Sequence, residues 1–148
     1  MKDDVFSSQS AQIYTSYYLT LILIYRPFGT AQMMLPDNDV PRKTRKPFAF
    51  PADSICANAA HSATIILDTQ VRRGSFSIPN MINVAQLCAA IQLMSFYAHK
   101  ALKRNQEPES AVYAAEKREQ DRALEDVNRC MRFLELVEPR WIMARKFL

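Results

Sequence analysis

With 148 residues, of which 49% are hydrophobic and 23% charged, the chain is long enough for one domain with a buried core. It contains only two glycines, which argues against hairpins, barrels and glycine-rich nucleotide loops, so the composition predicts an all-α fold. The net charge of +4 is unevenly distributed along the chain. The number of cysteines, three, is odd, which predicts buried free thiols in a reducing compartment.

The first predicted helix covers residues 9–25 and follows a polar, disordered start over residues 1–8. Two neighbouring apolar stripes span more than half of its circumference, so we expect it to be buried on more than one side. Pro27 lacks an amide hydrogen and disfavours helical geometry at Arg26, so the helix should end there. The Arg26 cation would then lie at the negative end of the helix dipole.

A long loop is predicted over residues 27–52, with prolines at positions 27, 36, 41, 47 and 51. A structureless segment of this length is unusual inside a compact domain and is interpreted as an insertion. Its one basic run consists of Arg42, Lys43, Arg45 and Lys46. The run suits a nuclear-import signal or a polyanion contact, and the plainer alternative is a solvated loop kept unstructured by its prolines.

The second helix is predicted to start with Asp53 or Ser54 as its cap and to run to about Arg73, where Gly74 ends it. Its small and aliphatic residues predict a buried stripe that lets another helix approach closely. The stripe comprises Cys56, Ala59, Ala60, Ala63, Ile66, Leu67 and Val71. His61 lies off this stripe and is expected to be a surface histidine rather than a metal ligand.

The third helix, over residues 79–105, is apolar almost all the way round between residues 81 and 98. That length is at the lower edge for a membrane span. Three amides interrupt it, Asn83, Gln86 and Gln92, and they favour the central helix of a bundle instead. These amides should either form hydrogen bonds in the core or lie on the least buried side of the third helix.

A turn over residues 105–110 precedes a fourth helix with a highly charged face. The apolar stripe of this helix is predicted to consist of Leu124, Val127, Met131 and Leu134, and it fades near Val137. Pro139 should restart a short last helix that docks through Trp141.

No reactive constellation is visible, because the sequence has no glycine-rich phosphate loop, no paired carboxylates in an apolar setting and no serine–histidine–aspartate signature. The two histidines, His61 and His99, have no obvious partners in the sequence. Lysines and aromatic residues are not interleaved on a groove-reading helix. We therefore expect neither an enzyme nor a specific DNA-binding chain.

The order of the elements is similar to a known pattern. YYLTLILIYRPF (17–28) resembles the helix ending in Tyr-Arg-Pro-Phe of the middle homology region of fungal zinc binuclear cluster transcription factors. CANAAHSATIIL (56–67) and MINVAQLCAAIQLMSFYA (81–98) resemble the two helices that follow, and DVNRCMRFLELVEPRWIMARKFL (126–148) resembles the closing one. The matching positions are Tyr25, Arg26, Pro27, Phe28, Cys56, Ala59, Ala60, Trp141, Ala144 and Arg145.

This resemblance implies that residues 9–148 are a single all-helical domain, the last part of the regulatory region of a nuclear transcription factor. The family's DNA-binding module, in which six cysteines hold two zinc ions, has no counterpart among the three scattered cysteines, so no zinc cofactor is expected here. The implied partners are other parts of a transcription factor or transcriptional co-regulators. No membrane partner is expected.

Two functions follow as hypotheses. The first is a regulatory or interaction module that modulates transcription through partner or effector binding. The second is a truncated, non-catalytic remnant or structural helical bundle without independent activity. Because two apolar helices compete for the same cover, we also expect self-association through an exposed apolar patch. Its expected contributors are Tyr18, Leu19, Leu23 and one side of residues 82–96.

Overall fold

The computed structural model describes residues 2–33, 51–74, 80–104, 108 and 110–139. These contain four helices and no strand: α1 (Lys2–Met33), α2 (Ala52–Arg72), α3 (Asn80–Arg104) and α4 (Ala111–Val137). The predicted all-α fold is therefore confirmed. The basic run at residues 42–46 and the short last helix with Trp141, Ala144 and Arg145 lie outside the described residues.

The predicted boundaries of the first helix are wrong at both ends. The residues expected to form a disordered start are helical from Lys2, and the helix continues through Pro27 to Met33. Proline removes only one hydrogen bond of the ladder, the one to the carbonyl of Leu23. Pro27 and Leu23 are both exposed, so water can reach that carbonyl and the helix tolerates the loss. The predicted loop over residues 27–52 is thus helical over its first seven residues.

The second helix has the predicted end and most of the predicted stripe, but not the predicted cap. Its first flanking residue is Pro51, which makes no side-chain capping bond, so neither Asp53 nor Ser54 fills this role. Gly74 follows the helix with a φ of 67°, a left-handed conformation that favours glycine. Five of the seven stripe residues are buried: Cys56, Ala59, Ala60, Ala63 and Leu67.

The fourth helix is buried along a different stripe from the predicted one. Leu124 is exposed, and the buried face consists of Gln120, Ala123, Asp126, Cys130, Phe133, Leu134 and Val137. The sequence-based stripe was built from Leu, Val and Met alone, whereas the observed one includes Gln120 and Asp126. Ser110 caps this helix, because its hydroxyl accepts a hydrogen bond from the amide of Tyr113.

The helices form two antiparallel pairs, α1 with α2 and α3 with α4. The helix α2 also packs against α3 and α4. Alanines at positions 59, 60 and 63 of α2 allow this close packing. Both α2 and α3 contact all three other described helices, so the third helix shares the predicted central position with α2. The helix α1 packs mainly on α2, so the expectation that it is buried on several sides is wrong.

One helix, over Met81–Arg104, is long and apolar enough to cross a membrane by length and composition, with a mean hydropathy of 1.4 in its most apolar window. Core helices of proteins without a membrane span meet the same criterion. Here the buried face of α3 packs on α2 and α4 and carries Gln92, which is 2% exposed. Of the three amides, only Gln92 is a buried hydrogen-bonding group; Asn83 is exposed and Gln86 is half-buried.

Candidate functional site

A buried polar cluster joins α2, α3 and α4. At its centre is the carboxylate of Asp126, whose side chain is completely buried. The Nδ1 atom of His61 lies 2.6 Å from one carboxylate oxygen, and the amide nitrogen of Gln92 donates to the same oxygen over 3.1 Å. Arg129 donates to the other oxygen over 3.1 Å. We call these four residues the Asp126 cluster.

The cluster forms because α2 and α3 each present one polar side chain, and α4 presents two, to the same point. Gln92 also donates to the backbone carbonyl of Ala57 over 3.0 Å, which ties α3 to α2. His61 is about one-third exposed, so its ring bridges the buried carboxylate and solvent. Among the described residues, no buried side-chain nitrogen or oxygen lacks a hydrogen-bond partner. A fully satisfied network of this kind specifies helix register.

Burial raises the pKa of Asp126, because a carboxylate removed from water is disfavoured in its charged form. The hydrogen bond and charge of His61 act in the opposite direction and lower this pKa, as does the charge of Arg129. The raising effect of burial dominates. The buried carboxylate thus orients the His61 imidazole, an arrangement that histidine general bases share.

The thiols beside this cluster are poorly suited to nucleophilic chemistry. Burial raises the pKa of Cys130 to about 11 and raises that of Cys88 further. The hydroxyl of Thr64 donates to the carbonyl of Ala60 and lies 3.4 Å from the sulfur of Cys130. Because only the thiolate is a good nucleophile, these cysteines are structural. All three cysteines are buried and free, as the sequence predicted.

A second set of polar contacts joins α3 to the first half of α4. The Nδ1 atom of His99 lies 2.5 Å from a carboxylate oxygen of Glu116, and Lys103 donates to Gln120 over 2.5 Å. The Lys103 ammonium also lies 5.5 Å from the ring centroid of Tyr113. These contacts are partly exposed and act as a polar seam between the two helices.

A cleft of about 270 Å³ opens between α1, α2 and α3. Its apolar wall is formed on α3 by Ile91, Met94 and Leu102, and Cys56 of α2 lies at its base. Arg26, Asp53 and His99 supply titratable groups to the cleft. The Asp53 carboxylate lies directly against Gly29, where a Cβ would collide with it, so glycine lets the start of α2 approach α1.

One face of α1 is apolar and exposed. Ile13, Tyr17, Ile24 and Phe28 follow each other at helical spacing with Thr20 between them, and each of the four large side chains is more than half exposed. We call these five residues the α1 stripe. The opposite face, with Ala11, Thr15 and Ile22, is buried. The α1 stripe therefore lies on the side of the helix away from α2.

The structure brings only some of the predicted site residues together. Arg26 and Cys56 line the cleft, so Arg26 lies within α1 and does not close a helix end. Tyr25 is half-buried against the core, and Phe28 belongs to the α1 stripe. Ala59 and Ala60 are buried in the packing of α2. Of the expected patch contributors on α1, Leu23 is exposed, whereas Tyr18 and Leu19 are half-buried. Within the expected range 82–96 of α3, Ile82 is buried, but Leu93 and Met94 are exposed.

Sequence reasoning missed the Asp126 cluster, because His61 and Asp126 are 65 positions apart. His61 was expected to be a surface residue; it is half-buried and paired. His99 likewise has a partner, Glu116. A signal for Asp126 was present: the spacing of Ala123, Cys130 and Val137 places position 126 on the same face of α4.

Comparisons with protein-family models, with curated proteins and with solved structures find no match. The resemblance to fungal transcription factors therefore stays a prediction. Among the described residues there is no group of three or more histidine, cysteine, aspartate or glutamate side chains that could hold a metal ion.

Proposed function

We propose that this chain is a regulatory or interaction domain of a fungal transcription factor, acting in the nucleus through contacts with other proteins rather than through catalysis or DNA readout. The observation that carries the proposal is the α1 stripe. Ordinary surface helices bury their apolar face and show a polar one. An exposed apolar face with consecutive aromatic and branched side chains is typical of a protein–protein contact.

The interior supports the same proposal. The polar groups of the Asp126 cluster bond to one another, because His61, Gln92 and Arg129 all contact the same carboxylate. Such a network fixes how three helices are aligned. The buried thiols have raised pKa values. A rigid helical support that presents one apolar face fits an interaction domain.

The alternative is a non-catalytic remnant or structural bundle without independent activity. The exposure of Ile13 and Phe28, at 69% and 61%, favours the interaction domain, because a structural bundle gains nothing from leaving them in water. Partners in this proposal are other parts of a transcription factor or transcriptional co-regulators, and the chain itself holds no zinc.

A reporter experiment tests the proposal. The chain is fused to an unrelated DNA-binding domain in a fungal host, and transcription from a reporter carrying the matching site is measured. We expect transcription to change relative to the DNA-binding domain alone, and Ile24→Glu in the α1 stripe to abolish the change. Val112→Glu is the matched control, because Val112 is an equally exposed apolar residue on α4. A fusion with no effect on transcription would favour the inactive alternative.

A further inference from the structure

We propose that the α1 stripe is a homotypic interface, and that its occupant is the α1 stripe of a second copy of this chain, packed antiparallel about a two-fold axis. This deepens the proposed function, on which it rests for its biological meaning, by naming the partner. Three properties of the stripe favour pairing: its lack of charge, the order of its residues and its area.

The stripe differs from the exposed apolar residues of α4 in having no charged neighbours on its face. Between residues 8 and 28 the one charged side chain is Arg26, and Arg26 lines the cleft toward α2 and α3. By contrast, Leu124 and Leu136 on α4 share their faces with Asp121 and Arg132, three and four positions earlier. In a two-fold interface a charge close to the axis would meet its own copy, so an uncharged face avoids this repulsion.

The order of the stripe is symmetric about its centre. When two α1 helices cross antiparallel at Thr20 and Leu21, Ile13 comes opposite Phe28 of the partner subunit. Tyr17 then comes opposite Ile24 of the partner subunit. A large aliphatic residue thus meets an aromatic one at each of the four outer positions, while the small Thr20 lies at the crossing point, where helix backbones come closest. Another protein would require no such symmetry, and a two-fold pairing with a second copy does.

The area fits a weak pairing. The four large side chains of the α1 stripe are each more than half exposed. Their exposed parts amount to roughly 500 Å² per copy, which is below the roughly 800 Å² per partner of a standard interface and in the range of weak, transient contacts. Aromatic residues of this kind are enriched at the centres of such interfaces.

Sedimentation equilibrium of the purified full chain tests the pairing. We expect a dimer at tens of micromolar, with at least a tenfold weaker association after Tyr17→Glu or Ile24→Glu. Val112→Glu should leave the dimer unchanged, and circular dichroism checks that every variant is folded. A monomer at all concentrations would overturn the proposal, as would a dimer that survives both stripe substitutions. Association with lipid vesicles instead of a second copy, lost in Ile24→Glu, would also overturn it.

Cysteine cross-linking tests the geometry. Thr20→Cys should form an intermolecular disulfide under mild oxidation, because the two copies of position 20 lie next to the axis. Gln12→Cys is exposed but off the stripe and serves as the control, with the parent chain as background for the buried native thiols. Equal cross-linking at positions 12 and 20 would contradict the antiparallel crossing. Failure of the reporter experiment with an intact dimer would count against the proposed function alone. A monomer that still alters reporter transcription would count against this inference alone.

Discussion

At the residue scale, the most consequential feature is a carboxylate that three helices share. Asp126 lies on the buried face of α4 and draws one hydrogen bond from α3 and one contact from α2. A polar residue at a core position is expensive unless its hydrogen bonds are satisfied, and here they are. Asp126→Asn keeps one acceptor oxygen and replaces the other with an amide donor, so either Arg129 or the pair of His61 and Gln92 loses its acceptor. We therefore expect this substitution to destabilise the fold by about 1–3 kcal/mol.

The raised pKa of Asp126 predicts how this cost varies with pH. The folded state holds the proton to higher pH than the unfolded state does, so the contribution of this group to stability is fully present below the ordinary value of 3.8. The contribution is lost as pH rises through the raised folded value. The difference in unfolding free energy between the parent and Asp126→Asn should therefore shrink with rising pH in that window.

Urea unfolding at a series of acidic pH values measures this difference. Asp121→Asn, an exposed position on the same helix, is the control and should differ from the parent by a constant amount. A constant difference for Asp126→Asn as well would show that burial does not shift this carboxyl group.

A second residue-scale prediction concerns the order of thiol reactivity. Burial raises the pKa of all three cysteines, most strongly for Cys88, then Cys130. Cys56 lines the cleft, which gives a reagent an entry path. Alkylation of the native chain at pH 8, followed by mass spectrometry, should label Cys56 first and Cys88 last, and unfolding should abolish the order. Cys88 labelled as fast as Cys56 in the folded chain would contradict the packing of α3.

At the element scale, α1 contains a proline that the helix does not need for its packing. Pro27 deprives the Leu23 carbonyl of its donor and is exposed, so Pro27→Ala should restore a hydrogen bond without disturbing the core. Part of this gain is offset because alanine has more freedom in the unfolded chain. We expect a net stabilisation of about 2 kcal/mol, a rise of roughly 4–8 °C in the melting temperature.

Pro51→Ala is the matched control, since Pro51 stands at the start of α2, where no helical hydrogen bond is lost. A melting temperature that falls in Pro27→Ala would mean that α1 ends near Arg26, as the proline pattern alone predicts.

The buried faces and ends of the helices show which parts of the fold the sequence predicts. Small-residue spacing predicts the buried face of α2 correctly, because Cys56, Ala59, Ala60 and Ala63 are all apolar. The predicted buried face of α4 was wrong. A pattern of apolar residues does not include a carboxylate such as Asp126, whose burial depends on hydrogen-bond partners from other helices. The predicted end of α1 was wrong for a similar reason. Pro27 locally disfavours a helix, but packing of α1 on α2 favours one, and this packing cannot be predicted from neighbouring residues alone.

At the scale of the whole molecule, the described helices have one strongly buried side and one open side. The core runs along α2 and between α3 and α4, from Ala60 and Leu67 to Val84, Cys88 and Leu134. On the far side of α1 the apolar stripe remains in contact with solvent. The sequence correctly predicts that some large apolar residues are exposed. It does not predict which residues of α1 these are, because that depends on how α1 packs on α2.

The central claim is that this open face is a contact surface, and the concentration dependence of thermal unfolding tests it most directly. If a second copy covers the α1 stripe, the melting temperature should rise as the chain concentration is raised from about 1 to 100 μM, because association stabilises the folded state by mass action. A hydrophobic dye should bind at the low end of this range and be displaced at the high end. A melting temperature independent of concentration, from a monomer that does not bind the dye, would contradict the account.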